Sequence, residues 1–368
     1  MILRVPDYYR KFSCIAGKCK HSCCIGWEID IDEDTLAYYR SIPGAFGERL
    51  KSHMQEEEED VVSFALGNNG RCPFLNKENL CDICIELGEE ALSEVCTEYP
   101  RFVTEYGNVR EKSMALSCEE VGRLMFEEKM PFSWEELEIP DFPEDPDCDP
   151  AWYEPLEKAR DFAVRLCREG VCSLEERLSV VLEFGQEIQE AIREEQDDQI
   201  EKTVLSWETL LKENKQLPKA DTERLIGNLE ERLAMYKDLE ILDEEWEGMF
   251  QKVETAFGGE EHSGFYQESL KKFQKFMTGR EWEYEKLLAY FLFRYTMQTV
   301  YDYNFVSHMC YGAASVLMVR DMDLIRFLEK GETFTMEDRI DTARIYSREV
   351  EHSEENLEML QEAFQFRG

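Results

Sequence analysis

The sequence predicts a mostly α-helical fold, in which a cysteine-rich N-terminal domain of irregular and short helical segments carries a metal centre and a helical bundle domain follows. Helical periodicity dominates from about Trp152 to the end of the chain, whereas Val and Ile runs with the period-two alternation of strands are scarce. In addition, nine of the thirteen cysteines fall within the first 118 residues. This grouping is too dense for a packed core alone and indicates metal ligands.

The overall composition excludes several classes of function. The chain of 368 residues is long enough for two domains, and its formal net charge is −38. Such a charge argues against nucleic acid or anionic lipid as a direct ligand, because both need a basic face. The N-terminus lacks the apolar run of a secretory signal, and the segment 287–301 is too short and too polar to span a bilayer. We therefore expect a cytoplasmic protein that binds neither nucleic acid nor membrane.

The first predicted domain, residues 1–130, is cysteine-rich and holds short helices. Three positions carry helix signals of capping residues or a terminating proline. The expected helices run from a cap at Asp30 or Asp32 through Tyr39, from about Glu89 to before Pro100, and from Cys118, where Ser117 and Glu120 form a capping-box pattern.

Residues 131–155 are predicted to form an acidic connector. Six of the eleven prolines lie between Pro131 and Pro155. Proline at this density breaks helices, and no strand alternation is visible. We expect an extended segment on the surface between two domains.

The second predicted domain, residues 156–368, is a bundle of helices. Ser173 and Glu176 form another capping box, before a helix that reaches about Glu195. A single long helix is expected from Asp221 into the Phe250 region. Further helices are predicted near 264–277, 282–301, 304–320, 338–350 and 353–365.

The clustered cysteines are the strongest functional signal. In a reducing cytosol, dense cysteines are more often metal ligands than disulfides, and iron–sulfur clusters need thiolates from several chain segments. Spacing does not separate a four-thiolate zinc site from a cluster, and nine thiols suffice for one centre or two. The adjacent Cys23 and Cys24 point in different directions and are open to different roles. The candidate ligands, in order of preference, are Cys72, Cys81, Cys84, Cys96, Cys118, Cys23, Cys19, Cys24 and Cys14.

The remaining cysteines are separated from this group. They are Cys148, Cys167, Cys172 and Cys310. Free cysteine commonly behaves as a small apolar residue in a core. We expect these four to be structural.

The order of the motifs resembles that of the flagellin lysine N-methylase family, which belongs to a wider group of CxxCxxCC proteins described as iron- or zinc-chelating. The matching segments are C-x4-C-x3-CC from Cys14, CPFL at 72–75, CDICIELGEEALSEVCTEYPRF from Cys81, SMALSCEE ending at Glu120, LLAYFLFRYTMQTVYD, and RIYSREVEHSEENLEML from Arg344. The resemblance implies methylation of surface lysine ε-amino groups on flagellin, with S-adenosylmethionine as donor. It also implies a 4Fe–4S cluster, with zinc as the alternative metal.

The sequence shows no glycine-rich loop between a strand and a helix for the methyl donor. The donor is therefore expected on an open cluster iron or in the helical domain. Lysine methylation also needs a deprotonated amine, which a base or a desolvated aromatic pocket provides. Candidate catalytic residues are Tyr99 and Arg101 of the YPR motif, with Arg348, Glu351 and His352 of the YSREVEHS motif.

Each of these polar candidates has a structural alternative. Arg348 and Glu351 suit a helix-packing ion pair, whereas His352 is a candidate general base. Arg294, within an apolar helix, needs a carboxylate partner from its own domain if it is buried. Two other functions stay open from the residues, namely a non-enzymatic iron- or zinc-binding redox protein that docks a partner and a zinc-stabilised interaction module.

Overall fold

The structure, a computed structural model, describes residues 1–26, 29–56, 61–143, 147–169 and 173–365. Most of these residues are helical, which confirms the predicted mostly α class. The N-terminal helices are α1 (Glu33–Ser41), α2 (Gly44–Ser52), α3 (Asp82–Leu87), α4 (Glu94–Glu98) and α5 (Glu119–Met125). The later helices are α6 (Pro150–Leu166), α7 (Leu174–Arg193), α8 (Asp197–Lys212), α9 (Thr222–Ile226), α10 (Leu229–Lys237), α11 (Glu244–Phe257), α12 (Ser263–Phe276), α13 (Trp282–Tyr295), α14 (Thr299–Asp302), α15 (Phe305–Lys330), α16 (Met336–Val350) and α17 (Glu354–Gln365).

The described residues also form two small sheets that the sequence did not predict. Their strands are β1 (Ile2–Pro6), β2 (Met54–Glu56), β3 (Val62–Phe64), β4 (Arg101–Tyr106), β5 (Val109–Met114) and β6 (Trp134–Glu138). The larger sheet has the order β4-β5-β1-β6, with β1 parallel to β5 and antiparallel to β6. β2 pairs with β3 in the smaller sheet.

β6 corrects the expectation that residues 131–155 contain no strand. Its sequence, WEELE, lacks alternation because it is an edge strand whose side chains are largely exposed or half-buried. Its pairing with β1 therefore supplies the order that the local pattern does not show. α6 begins at Pro150, within the same predicted connector. The boundaries at 130 and 156 stay a prediction.

Two apolar cores are present among the described residues. The smaller core gathers Tyr39, Phe64, Phe74 and their neighbours from α1, α2, α3, β2 and β3. The larger core joins the bundle to the main sheet and centres on α15, which is buried from Phe305 to Ile325. No helix of the described segments is long and apolar enough to cross a membrane.

Local capping signals predicted helix starts well where the cap side chain accepts a hydrogen bond from the backbone N–H three residues later. The Asp32 carboxylate accepts from Thr35 N at the start of α1, and Ser173 accepts from Glu176 N at the start of α7. The Ser117 capping box is wrong. α5 does follow Cys118, but the Ser117 hydroxyl contacts Tyr99 and His352 instead of the helix.

Two predicted helices are broken in the structure. The single helix from Asp221 is three helices, α9 to α11, because Gly227 ends α9 with a positive φ of 78°. The helix expected from Glu89 is a 3-10 turn, Glu89–Ala91, followed by α4. Between them Leu92 and Ser93 are extended.

A buried charge network joins the main sheet to the bundle. Arg160 of α6 is fully buried and donates to both carboxylate oxygens of Glu111 on β5, at 2.6 and 3.0 Å. It also donates to the Phe293 carbonyl of α13 at 3.1 Å. Arg4 of β1 lies 3.6 Å from Glu111 and pairs with Glu157 of α6. These contacts fix the sheet against α6 and α13.

Replacing Arg160 by alanine should lower the free energy of unfolding by about 3–5 kcal/mol, because Glu111 stays buried without its bidentate partner and keeps only Tyr106 and the longer contact with Arg4. Urea unfolding followed by circular dichroism measures the change. Lys158→Ala is the matched control on the same helix, since its exposed pair with Glu201 should contribute less than about 1 kcal/mol. Equal effects of the two substitutions would contradict the assigned role of the network.

Candidate metal centre and active site

The loop that carries the first cysteines is held between α5 and α16. The Glu119 carboxylate, at the first residue of α5, accepts from Lys20 N at 3.1 Å and from His21 N at 3.2 Å. Arg348 of α16 donates to the Ile25 carbonyl at 3.0 Å. Gly26 has a φ of 76°, and a Cβ there would clash with the Arg348 guanidinium. The loop therefore depends on both helices for its position.

Four thiols form what we call the first thiol group, Cys14, Cys19, Cys23 and Cys118. Cys19 and Cys23 each lie within electrostatic range of both Cys14 and Cys118. Cys118 immediately precedes α5 and packs against the larger core. Burial raises the pKa of Cys19 to about 12 and that of Cys118 to about 11. Cys19 and Cys118 are therefore protonated near pH 7. The four thiols come from two distant chain segments.

Five thiols form the second thiol group, Cys24, Cys72, Cys81, Cys84 and Cys96. Cys72 lies within range of Cys24, Cys81 and Cys96, and burial raises its pKa to about 12. Burial also raises the pKa of Cys96 to about 11, with Cys24 and Cys81 nearby. Cys84 is joined to the group through Cys81 and Cys96. The group lies against the smaller core, which includes Cys72 and packs against Cys24, Cys81 and Cys96.

The two groups meet at the adjacent Cys23 and Cys24. A hydrogen bond between their thiols raises the pKa of Cys23 and lowers that of Cys24. In the described part of the chain, no three His, Cys, Asp or Glu side chains converge closely enough to hold a metal ion as they stand. The donor set nevertheless fits iron–sulfur or zinc, because both prefer soft thiolates. Metal binding would draw the thiols together and release their protons.

The other cysteines lie away from these groups. Cys167 is buried in the larger core, where its thiol donates to the Ala163 carbonyl, and Cys310 is also buried. Cys148 packs against the same core. Cys172 lies outside the described residues.

Tyr99, Ser117 and His352 form a hydrogen-bonded chain beside the first thiol group. The Tyr99 and Ser117 hydroxyls are 3.1 Å apart, and Ser117 Oγ is 2.7 Å from His352 Nε2. Tyr99 lies within electrostatic range of Cys118 and Cys23. Burial, then the charge of Arg294, lowers the pKa of His352 to about 3, so the imidazole is neutral near pH 7. The YPR and YSREVEHS motifs thus meet in space.

Arg294 has the buried carboxylate partner that the sequence required. Its guanidinium lies 3.0 Å from Glu351 Oε1, and Glu351 also accepts from Tyr290 at 2.9 Å and from Tyr295 at 2.8 Å. The guanidinium stacks on Phe102, 3.3 Å from the ring centroid. Phe102, which sequence analysis did not select, also packs against the His352 ring at 4.9 Å.

The alternative ion pair between Arg348 and Glu351 is not the one that forms. Arg348 instead pairs with Asp243 at 2.8 Å, just before α11. The neighbouring Glu349 accepts from Leu242 N and Asp243 N, both at 3.0 Å. Although these residues follow one another in sequence, the helix turns Arg348 and Glu349 towards α11 and Glu351 towards α13.

Arg101 contacts the N-terminal segment and the end of α4. Its Nε donates to the Tyr9 hydroxyl at 3.0 Å, and its guanidinium stacks on Tyr9 and Phe12. Arg101 therefore connects β4 to the N-terminal segment. These hydrogen bonds and ring contacts do not involve the other catalytic candidates.

A cavity of about 420 Å³ lies between the β6 segment, α6 and α13. Its lining includes two indole rings, Trp134 and Trp282, and two carboxylates, Asp161 and Glu285. Phe132, another lining residue, packs against Tyr8 with ring centroids 6.4 Å apart. The Tyr8 hydroxyl is buried within range of Glu351 and has no hydrogen-bond partner among the described residues. The cavity is therefore separated from the Arg294–Glu351 pair by this layer of rings.

Comparisons with known proteins agree on one family. The model described as the FliB lysine N-methylase C-terminal domain matches residues 160–368. Lysine-N-methylases of Salmonella typhimurium and Salmonella choleraesuis are 34% identical over 124 residues, which cover 32% of this chain and 30% of each relative. The flagellar biosynthetic protein FliU of Salmonella muenchen has the same identity over 124 residues, which cover 72% of its length. No solved structure matches the chain significantly.

Glu349 should make folding stability depend on pH. Burial raises its pKa to about 7, so at pH values just below 7 the folded protein holds a proton that the unfolded chain has released. This contribution is full below the unfolded value of 4.5 and is lost as pH rises from there through about 7, a loss on the order of 3 kcal/mol. Urea unfolding across this range, compared between wild type and Glu349→Gln, should show the slope only in wild type. Glu358→Gln, on an exposed position of α17, should keep it.

Proposed function

The chain belongs to the FliB lysine N-methylase family, and from this premise we propose that it methylates surface lysine ε-amino groups of flagellin with S-adenosylmethionine in the cytoplasm. We further propose that N-terminal thiolates hold an iron–sulfur cluster, with zinc as the alternative. The observation that supports this most is the meeting of Tyr99 and His352 through Ser117, beside the first thiol group. This hydrogen-bonded chain joins residues that are about 250 positions apart in sequence.

The reaction needs a neutral amine. Its lone pair attacks the methyl carbon of the sulfonium, the carbon–sulfur bond breaks with its electrons on sulfur, and neutral S-adenosylhomocysteine leaves. The pKa of His352 makes it a weak base, which argues for a positioning role towards Ser117. Desolvation against aromatic rings such as Tyr99 and Phe102 would lower the pKa of a lysine amine and release its proton to solvent. A bound cluster would supply a Lewis-acidic iron beside these residues.

Charge supports a substrate that presents lysines. The formal net charge of −38 attracts cationic surfaces and speeds their association at low salt. The same charge would suit other basic partners. The choice of flagellin as the substrate therefore rests on membership of the family. The Arg294–Glu351 pair is neutral overall and provides a fixed wall behind Phe102 and His352.

For the methyl donor, we propose the cavity lined by Trp134 and Trp282. Its volume of about 420 Å³ suits a nucleoside-sized ligand. Indole rings stabilise both an adenine face and a sulfonium. The lining also carries four basic side chains, which suit the carboxylate of the donor, namely Lys129, Arg165, Arg168 and Lys286. Tyr8 packs against Phe132 of this lining, and its hydroxyl lies within electrostatic range of Glu351.

Trp282→Ala should weaken the binding of S-adenosylmethionine about tenfold or more, because it removes one aromatic wall. Isothermal calorimetry on the full-length protein measures this affinity. Phe142→Ala, a substitution of an exposed ring, is the matched control and should change nothing. Unchanged affinity in Trp282→Ala would move the donor to another place, such as an open cluster iron.

Anaerobically purified protein should add whole methyl groups to flagellin lysines, as measured by mass spectrometry after incubation with S-adenosylmethionine. Ser117→Ala breaks the link between Tyr99 and His352 and should lower kcat about tenfold or more, with a smaller effect on KM. Ser52→Ala is the control, because among the described residues this exposed hydroxyl contacts the Arg49 carbonyl and His53 and none of the candidate site residues.

A metal-loaded protein that neither methylates flagellin nor binds S-adenosylmethionine would defeat the proposal. That result would favour the second candidate, a non-enzymatic iron- or zinc-binding protein that docks a partner. The absence of a glycine-rich donor loop in the sequence is the observation that favours this candidate.

A further inference from the structure

The nine N-terminal cysteines separate by location into the two thiol groups. Cys118 packs against the larger core, whereas Cys72 belongs to the smaller core and Cys24, Cys81 and Cys96 pack against it. Apart from the hydrogen bond between the Cys23 and Cys24 thiols, the neighbouring thiols follow the same division. Cys19 has Cys118 and Cys14 as neighbours, while the neighbours in the second group are Cys24, Cys72, Cys81 and Cys96 among themselves.

Backbone contacts keep the division at Cys23 and Cys24. Glu119 fixes the chain just before Cys23, on the side of α5 and Cys118. The Cys24 carbonyl accepts from Cys72 N at 2.9 Å, which fixes it on the side of the smaller core. The backbone therefore passes from the side of one group to the side of the other between Cys23 and Cys24.

Each group contains a complete set of donors. Four thiolates from converging segments are sufficient for a zinc ion or for a 4Fe–4S cluster. The first group supplies them from the N-terminal loop and from the start of α5, and the second from the loop, the CPF turn, the start of α3 and α4. Cys84, on α3, is a fifth thiol in the second group.

We propose that the chain binds two separate thiolate-ligated metal centres, one held by Cys14, Cys19, Cys23 and Cys118 against the larger core and the other by Cys24, Cys72, Cys81 and Cys96 in the smaller core. The proposed function needs only one cluster, so this inference goes beyond it and holds whether or not the protein methylates flagellin. In each centre four metal–sulfur bonds form, and the protonated thiols release their protons to solvent.

The two centres have different surroundings and so different roles. The first lies beside Tyr99 and the chain that leads to His352, and it is the centre placed to take part in chemistry. The second lies in a small core made of short helices and two three-residue strands, too small to be stable without further support. Metal binding there stabilises the fold of this part of the chain.

Metal content per chain tests the proposal. Full-length protein is purified anaerobically, and iron, zinc and sulfide are quantified for wild type, Cys118→Ser, Cys81→Ser and the double variant. Wild type should hold two centres, as two zinc ions, about eight irons, or one zinc with about four irons. Each single variant should lose one centre and keep the other, and the double variant should lose both. Cys148→Ser is the control and should keep the full content.

Two results would overturn the proposal. Loss of all metal in both single variants would show one shared centre, and full retention in Cys118→Ser would show that the first group binds none. Circular dichroism and gel filtration establish that each variant is folded. If one is not, the wild-type content still decides, because a single centre gives one zinc ion or about four irons. The experiment measures bound metal and not methylation. The proposal of two centres therefore stands or falls independently of the proposed methyltransferase activity.

Discussion

The hydrogen bonds of Glu119 and Arg348 to the Lys20–Gly26 loop are the constraint on which the N-terminal region depends. A loop with two adjacent cysteines has no regular structure to fix where its thiols point. Charged side chains from α5 and α16 fix it instead, with charge-assisted hydrogen bonds that are stronger than neutral ones. Because one side chain comes from each side of the connector, the position of the loop requires that both parts of the chain be folded.

The buried Arg294–Glu351 pair has a corresponding effect within the bundle. Removing two charges from water costs several kcal/mol each, and their attraction offsets this cost only if the remaining hydrogen-bond sites are also satisfied. Tyr290 and Tyr295 supply hydrogen bonds to Glu351, and the ring of Phe102 stacks on Arg294. The pair therefore fixes β4 against α13 and the end of α16. This packing also sets the position of His352, which directly follows Glu351 in the chain. The polar chain to Tyr99 is thus a consequence of the packing of the bundle.

Two separated thiol groups are also consistent with the two cores. A large helical core is stable through its apolar burial, and a metal centre at its edge is available for chemistry. A core of short elements buries less surface and gains more from metal ligation. The adjacent cysteines allow both demands to be met by one short loop.

The sequence by itself determined the properties that depend on near neighbours or on residue chemistry. Asp32 and Ser173 cap helices because their partners are three residues away, the thiols indicate soft metals, and a buried Arg294 requires a carboxylate. Tertiary structure decided the features that depend on partners far away along the chain. β6 exists only through its pairing with β1, and Ser117 leaves its capping position for Tyr99 and His352. The division between Cys23 and Cys24 likewise comes from Glu119 and Cys72, whose distance in space cannot be read from their distance along the chain.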